Sequence, residues 1–514
     1  MADTKREIER KYESKDSGLP DLTGVPGVAA VVDKGVAHLD ATYYDTADER
    51  LAASSVTLRR RTGGSDAGWH LKFPVAPGVR DEIRAPLSDH VPRSLAGLVR
   101  SRVRDAELVP VVRLVSDRDI RDLVDADGRL LAEVSVDAVH AERLTGTGTG
   151  TGTGKGTATA QWSEIEVELA DGGDPALLDK IDKRLRKAGV RPSRSASKLA
   201  RALSRTKPKK QRGAAARKPQ PPAPVTAGEH VLAYVRAQRD ALVALDPDVR
   251  RDVPDSVHRM RVATRRLRST FRSYAKVLDR TATDPIGAEL KWLAAELGAG
   301  RDQEVLTDRL TTALAELPRP LLAGPVRTRL RTWSHARGGG SRRRLIAVLD
   351  GGRYLALLAA LDTLLADPPL RPPAGARKPG KVIGAAVRKD FGRVSELVEQ
   401  ALSLPPGDER DQALHDARKE AKRTRYSAEA AVGLLGDPAA DLVRSMKSLQ
   451  QLLGDHQDSV MTREALRTLA RQAHAAGENS FTYGVLHGRE ERRAADAEAA
   501  LPGLWETVRG GPVF

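Results

Sequence analysis

The chain has 514 residues, too many for one ordinary hydrophobic core, so two or three domains are expected. It contains no cysteine, which excludes disulfides, zinc–thiolate sites and thiol catalysis. A formal charge of +16 points to a polyanionic partner, whether phosphate polymer, nucleic acid or anionic membrane surface, while an aromatic content of 4% argues against an extensive base-stacking surface. The stretch from Met1 to Tyr12 is charged and reads as a strand, leaving no room for the apolar core of a signal peptide. The longest apolar run, around Tyr354 to Leu361, is stopped by Asp362, well short of the ~20 residues a membrane span needs. A soluble cytoplasmic protein is the expectation.

From Met1 to about Leu203 candidate strands fall near residues 5–13, 40–46, 55–61, 68–73, 79–84, 110–116, 130–138 and 162–169, with helical pieces at 92–101 and from Pro175 to Ala188. So many strands in under ~200 residues predict a barrel or a sandwich. Three of them carry ionised residues at alternate positions: Glu7, Glu9 and Lys11; Arg59 and Arg61; Glu164, Glu166 and Glu168. Alternate side chains of a strand share a face, and the intervening Ile8, Leu58, Ile165, Val167 and Leu169 are apolar. Any one segment also fits an antiparallel sheet with one solvated face. The combination fits a closed barrel with a polar lumen, whose carboxylates and guanidinium groups are what a metal-bound polyanion needs. Thr-Gly alternates five times between Thr145 and Ala160, a low-complexity loop.

Residues 204–224 hold seven Lys or Arg, five Pro and no acid, the composition of a semi-extended basic linker. From 225 to 514, long Ala/Leu/Arg-rich segments of helical periodicity predict an all-α domain. It repeats itself, in halves of about 225–370 and 380–514. Val257 to Arg268 lines up with Leu414 to Arg425 at an offset of 157 residues, and Leu297 to Asp302 with Leu453 to Asp458 at 156, the mark of a duplicated half-domain rather than a short-period solenoid.

In the first copy His258, Arg261, Arg265 and Arg268 fall within an arc of about 80° on a helix whose other side carries Met260, Ala263, Leu267 and Phe271. His415, Arg418, Lys422 and Arg425 repeat the arc, opposite Ala417, Ala421 and Ala428. Like charges one turn apart repel by a few tenths of a kcal/mol per pair, so such a stripe costs helix stability unless a ligand neutralises it. Arg offers paired donors to phosphate oxygens. One such helix is as well read as a solvated face; its duplication favours polyanion binding. Neither histidine has a second one at i+3 or i+4, so no metal site is expected there. Asp302 and Asp458 follow glycine breaks and read as helix caps or partners of Arg.

These residues resemble two known families. Glu7-x-Glu9-x-Lys11 on an opening strand resembles the signature of the CYTH domain, the triphosphate tunnel metalloenzyme superfamily. The resemblance continues through Tyr43-Tyr44-Asp45-Thr46, Leu58-Arg59-Arg60-Arg61, Trp69-His70-Leu71-Lys72, Arg80-Asp81-Glu82, Glu133-Val134-Ser135-Val136-Asp137, Glu164-Ile165-Glu166 and Ser197-Lys198-Leu199-Ala200-Arg201, over most of residues 5–203 of a domain expected at 1–203. It implies an α+β fold, an eight-stranded antiparallel β tunnel with flanking helices that holds a triphosphate, with Mg2+ or Mn2+ as cofactor. Lys11, Arg59, Arg61, Lys72, Arg113 and Lys198 are implied to clamp phosphate oxygens, with Arg118 the alternative to Arg113. Glu7, Glu9, Glu164 and Glu166 are implied to hold metal, joined by Asp137 and Glu82. The Thr-Gly loop has no counterpart in the family pattern.

Residues from about 225 to 514 resemble the CHAD domain, a duplicated helical bundle that binds inorganic polyphosphate, here through the two stripes. CYTH and CHAD domains occur fused in this order. Together the resemblances imply metal-dependent hydrolysis of a triphosphate or inorganic polyphosphate in the tunnel and polyphosphate binding by the helical domain, in the cytoplasm and in association with polyphosphate granules. Tripolyphosphate, thiamine triphosphate and RNA 5′ ends are all admitted as substrates, and ATP cyclisation as an alternative reaction. A polyphosphate-binding protein with a weakly active tunnel is a second class of reading. Sparse aromatics and the absence of a recognised motif speak against specific nucleic-acid binding, and no membrane partner is expected.

Overall fold

The structure is a computed structural model that describes residues 4–14, 18–144, 158–206, 223–338, 340–371 and 378–511. Most of the expected basic linker and of the Thr-Gly segment lies outside the described residues. The chain divides into two compact units near residue 220.

The N-terminal unit is built on β1 (Thr4–Glu13), β2 (Ala30–Asp45), β3 (Thr57–Thr62), β4 (Gly68–Ala76), β5 (Val79–Ala85), β6 (Val109–Val124), β7 (Leu130–Arg143) and β8 (Thr159–Leu169). They run antiparallel in the order β5-β4-β3-β2-β6-β7-β8-β1, and a further β1–β5 pairing closes the barrel. Closure leaves no long edge unpaired. The wall is tight where the β4–β5 hairpin meets β1: Glu9 N donates to Gly78 O at 2.8 Å, and a Cβ on Gly78 (φ +74°) would stand 2.7 Å from Glu9 O, so only glycine fits.

Alternation then divides each strand between lumen and outer wall. On the outer wall Leu58, Leu71 and Ile83 pack on a helix that carries Leu95, Leu98 and Val99, and Val134, Ile165 and Val167 pack on another through Leu177, Ile181 and Leu185. Helices α1 (Arg50–Ala53), α2 (Arg93–Val103), α3 (Ala176–Lys187) and α4 (Lys198–Thr206) complete the unit; α2 and α3 are the two outer helices. At one end α4 sets Leu199, Ala202 and Leu203 against Val112, Leu114, Ala141 and Trp162. Strands β2 and β6 run well past the expected 40–46 and 110–116. Their extension pairs Ala30–Leu39 with Ser116–Val124, where charges fall on both faces, Val32 and Val36 are exposed, and the register shifts between Asp33 and Val36, so hydrophobic alternation gives no signal there.

In the C-terminal unit Thr226 caps α5 (Ala227–Arg251): its hydroxyl accepts from Glu229 N, and the Glu229 carboxylate accepts from Thr226 N. There follow α6 (Ser256–Ser273), α7 (Arg280–Ala315), α8 (Val326–Gly338), α9 (Ser341–Asp350), α10 (Gly352–Ala366), α11 (Pro379–Ser403), α12 (Asp408–Leu435), α13 (Asp437–Ala475) and α14 (Phe481–Arg509). The expected core faces are buried, Met260, Ala263, Leu267 and Phe271 on α6 and Ala417, Ala421 and Ala428 on α12. Asp302 and Asp458 are not caps, because α7 and α13 run unbroken through the glycines before them. Those glycines admit an arginine instead: a Cβ on Gly298 would lie 2.8 Å from Arg261 Nη2, and one on Gly454 3.4 Å from Arg418 Nη2. No helix among the described residues is long and apolar enough to cross a membrane.

Candidate active site and anion groove

The pairing register itself assembles the charged lumen. It sets Lys11 opposite Glu166 and Arg118 opposite Asp137, cross-strand pairs of opposite sign, and it also sets the carboxylates of Asp137 and Glu164 opposite each other, a like-charge pair that needs a cation between them. Lys11 Nζ donates to Glu9 at 2.9 Å and also to Glu166. Lys72 Nζ lies 2.5 Å from Glu7 and 3.4 Å from Glu82. From the plugging helix α4, Lys198 Nζ reaches Asp137, Glu164 and Glu166 at 3.0, 2.9 and 2.6 Å. Arg59 makes no ion pair among the described residues; its Nη1 donates to Tyr43 OH at 3.3 Å, and its buried Nε–H and that of Arg61 have no acceptor. The cavity these groups line holds about 250 Å³.

The lumen thus brings together Glu7, Glu9, Lys11, Arg59, Arg61, Lys72, Glu82, Glu166 and Lys198, with Asp137 and Glu164 bonded into the same network. Arg113 is corrected: its side chain is 48% exposed and forks onto Asp40 on the outer wall. Arg118 takes the lumen position, donating to Asp137 at 2.7 Å and to Glu166 at 2.8 Å. The parity of β6 decides this, since Val112, Leu114, Ser116 and Arg118 share the inner face and Arg113 the other. The sequence reading passed over Lys5 and Arg84 and gave Arg80, though part of a matching motif, no role; all three lie on the inner faces of β1 and β5, and the same parity from Glu7 and Glu82 finds them. Asp45 of the Tyr-Tyr-Asp-Thr motif is fully buried and accepts from the backbone N–H of Thr46, Leu51 and Ala52 at 2.7–2.8 Å, so it builds the β2–α1 turn.

Burial raises Glu7, and the nearby Lys72 only partly opposes it. For Glu9, Asp137 and Glu166 burial also pushes upward, but Lys11, Lys198 and Arg118 outweigh it and hold these carboxyls below their ordinary range. Arg61 is brought down to about 9 by burial and by the like charges of Arg59 and Arg118. One oxygen from each of Asp137, Glu164 and Glu166 lies within 4.8 Å of the others, and all three residues are buried. An all-oxygen set of this kind suits a hard divalent cation. Glu7 and Glu9 stand outside this trio, Glu9 joined to Glu166 through Lys11.

In the C-terminal unit one groove of about 1210 Å³ collects the whole of both stripes, His258, Arg261, Arg265 and Arg268 from α6 and His415, Arg418, Lys422 and Arg425 from α12. Arg261 forks onto Asp302 at 2.6 and 3.0 Å. The Nε–H groups of Arg261, Arg309, Arg418 and Arg425 are buried without an acceptor. Lys422 makes no ion pair among the described residues; burial and the charges of Arg418 and Arg265 bring its ammonium down to about 7. Lys291, Arg309 and Lys447 also line the groove and were missed because they lie on other helices than the stripes, while Arg272 continues the first stripe by one more turn and was legible from the same period. The recurrence of Lys291 as Lys447, at the spacing that separates Asp302 from Asp458, was the available signal.

A closed antiparallel tunnel lined with both signs of charge, followed in sequence by a duplicated helical unit with a cationic groove, defines a two-module protein. Residues 5–203 match the CYTH domain and residues 233–467 the CHAD domain. Two Mycobacterium tuberculosis proteins, uncharacterized protein Rv2226 of strain H37Rv and uncharacterized protein MT2285 of strain CDC 1551, are each 40% identical over 98% of this chain and 97% of their own. PptA from Streptomyces chartreusis is 21% identical, covering 55% of this chain and 100% of its own, with a TM-score of 0.47. The CHAD domain from the plant Ricinus communis is 21% identical over 56% of this chain and 93% of its own, with a TM-score of 0.43. The chain belongs to the family of proteins that carry a CYTH domain followed by a CHAD domain. CYTH superfamily members are metal-dependent triphosphatases or cyclases, and CHAD domains are linked to polyphosphate.

Proposed function

We propose that the tunnel hydrolyses a phosphoanhydride bond of a triphosphate or inorganic polyphosphate and that the helical unit binds inorganic polyphosphate, in the cytoplasm and at polyphosphate granules. The observation that carries the first half is the convergence of Lys11, Arg59, Arg61, Lys72, Arg118 and Lys198 on one lumen with a buried oxygen-only trio. Arg59 faces it without a carboxylate partner among the described residues, and Arg61, paired with Asp66 through Nη2, keeps an unmet Nε–H, so an anion entering there meets donors still open to it. Asp137, Glu164 and Glu166 fit Mg2+ or Mn2+ and would hold it, with Glu7 and Glu9 nearby in the lumen. When bound, such a cation screens phosphate charge and lowers the pKa of bound water. Lys198, shared by the three carboxylates, is placed to donate to phosphate oxygens beside them. The Lys and Arg groups orient the chain and stabilise charge on the transferred phosphoryl group.

Phosphate release from tripolyphosphate, ATP and long-chain polyphosphate, measured side by side with Mg2+ or Mn2+, tests the reading. Metal-dependent release from at least one, lost in Glu166→Gln, is expected. Pyrophosphate and cyclic nucleotide from ATP would instead make the tunnel a cyclase. No turnover of any substrate, with polyphosphate still bound, would leave a binding protein.

A further inference from the structure

The two basic helices meet at equivalent positions of the duplication. Thr270 on α6 and Ser427 on α12 correspond in the repeat, and both are fully buried. Tyr274, one turn beyond Thr270, donates to Ser427 O at 2.7 Å, and Arg266, one turn before Thr270, pairs with Glu429 at 2.8 Å. Arg265 and Lys422 also correspond. The charges of Arg261 and Arg418 bear on Arg265, and those of Arg418, Arg265 and Arg261 on Lys422, so the pair shares the middle of the groove. A contact of like position with like position is isologous and generates a two-fold axis, whereas a translated repeat would set the start of one copy against the end of the other. Lys291 on α7 and Lys447 on α13 correspond as well, both line the groove, and neither has an ion-pair partner among the described residues. Exposed Val305 and Met461 are a further corresponding pair on its lining.

We infer that the groove is two equivalent half-sites meeting at Arg265 and Lys422, that Lys291 and Lys447 are matching anchors of those halves, and that it takes a linear polyanion without head-to-tail direction, bound in either orientation. This rests on the polyphosphate reading of the groove and adds the geometry of the ligand to it. Linear inorganic polyphosphate reads the same from both ends. A nucleic-acid strand does not, and in a two-fold site it loses half of its directional contacts. Cationic groups at mirrored positions match phosphates repeating evenly along such a chain, and the aromatic on the lining, Tyr426, is buried with Arg266 and Arg425 over its ring.

The test uses the full chain and linear polyphosphate of defined length. Lys291→Glu and Lys447→Glu each change an exposed side chain, so folding is preserved. Each should weaken binding roughly tenfold, agree with the other within about twofold, and lower the salt dependence by the same slope. Because the chain has no cysteine, Val305→Cys and Met461→Cys can each carry one fluorophore, and polyphosphate labelled at one end should transfer energy equally to both. A loss confined to one lysine variant, transfer to one position only, or single-stranded DNA of matched charge competing equally well would each overturn the inference while leaving polyphosphate binding standing. Failure of the unaltered protein to bind polyphosphate would remove both.

Discussion

The ammonium of Lys198 stands 2.6 Å from a Glu166 carboxylate oxygen and within 3.0 Å of Glu164 and Asp137, tying the helix that plugs the barrel to two of its strands. One buried cation is therefore shared by three buried carboxylates, which Arg118, Lys11 and Arg201 also pair. Burial disfavours its charged form, but the three acids prevail and raise Lys198 far above the ordinary lysine range. Lys198→Met should strip this compensation and destabilise the N-terminal unit by about 3–5 kcal/mol, the usual cost of orphaning buried charge. A urea-melting difference below about 1 kcal/mol would remove Lys198 from that role. The pH sign follows from the lowered carboxyls. Asp137 and Glu166 contribute stability above the ordinary carboxyl pKa of about 4, and the contribution is lost as pH falls through their lower folded values. The parent should therefore begin to lose stability only below about pH 4.

Arg118→Ala should raise the KM for a triphosphate about 10- to 100-fold, since a charged hydrogen bond is worth roughly 1.5–3 kcal/mol. Arg113→Ala should leave KM within about twofold and stability within about 1 kcal/mol, because its pair with Asp40 is solvent-exposed. Comparable KM changes in the two variants would mean that β6 is not in the register described.

The same parity separates the arginines of β3. Arg59 and Arg61 line the lumen, while Arg60 Nε donates to Ser88 O at 3.0 Å on the outer wall. Arg59→Ala and Arg61→Ala should each weaken triphosphate binding about tenfold or more, and Arg60→Ala by less than about twofold. Calorimetric titration of tripolyphosphate into the three variants measures this directly, and equal losses would contradict the assignment of faces.

Strands whose two faces differ in chemistry were legible in the sequence. Glu7 to Lys11 and Glu164 to Glu168 separate charged from apolar side chains so cleanly that lumen and wall follow from alternation. The stripe beginning at His258 was legible for the same reason at helical period. Legibility failed where both faces carry charge: Asp117 to Asp122 on β6 offers ionised groups at odd and even positions, so Arg113 and Arg118 could not be told apart until the pairing of Arg118 with Asp137 fixed the register. It failed again where a residue's purpose lies in a distant partner. Gly298 and Gly454 read as breaks because nothing local shows that Arg261 and Arg418 fill the space where a side chain would be.

The groove should bind polyphosphate more weakly as pH rises past neutrality, through Lys422. Its ammonium is surrounded by Arg261 and Arg265 from α6 and Arg418 from its own helix, with Asp458 from α13 as the opposing acid, and burial adds to the repulsion to give a pKa of about 7. A polyanion favours the protonated form, so binding takes up a proton when the free site has lost it. Affinity should be greatest below pH 7 and fall by up to about tenfold per unit above it, until the pKa of the complex is reached. Stability without ligand should move the other way. Between pH 7 and the ordinary lysine value of about 10.4 the unfolded chain holds the proton that the folded one has released, so the C-terminal unit gains stability as pH rises. Lys422→Arg keeps the charge at every pH in this range and should flatten both trends. Polyphosphate titrations and thermal melts at pH 6, 7, 8 and 9 on the parent and this variant supply the measurement. A parent affinity that stays constant across the series, or a variant with the same pH slope as the parent, would show that the lysine keeps its proton throughout.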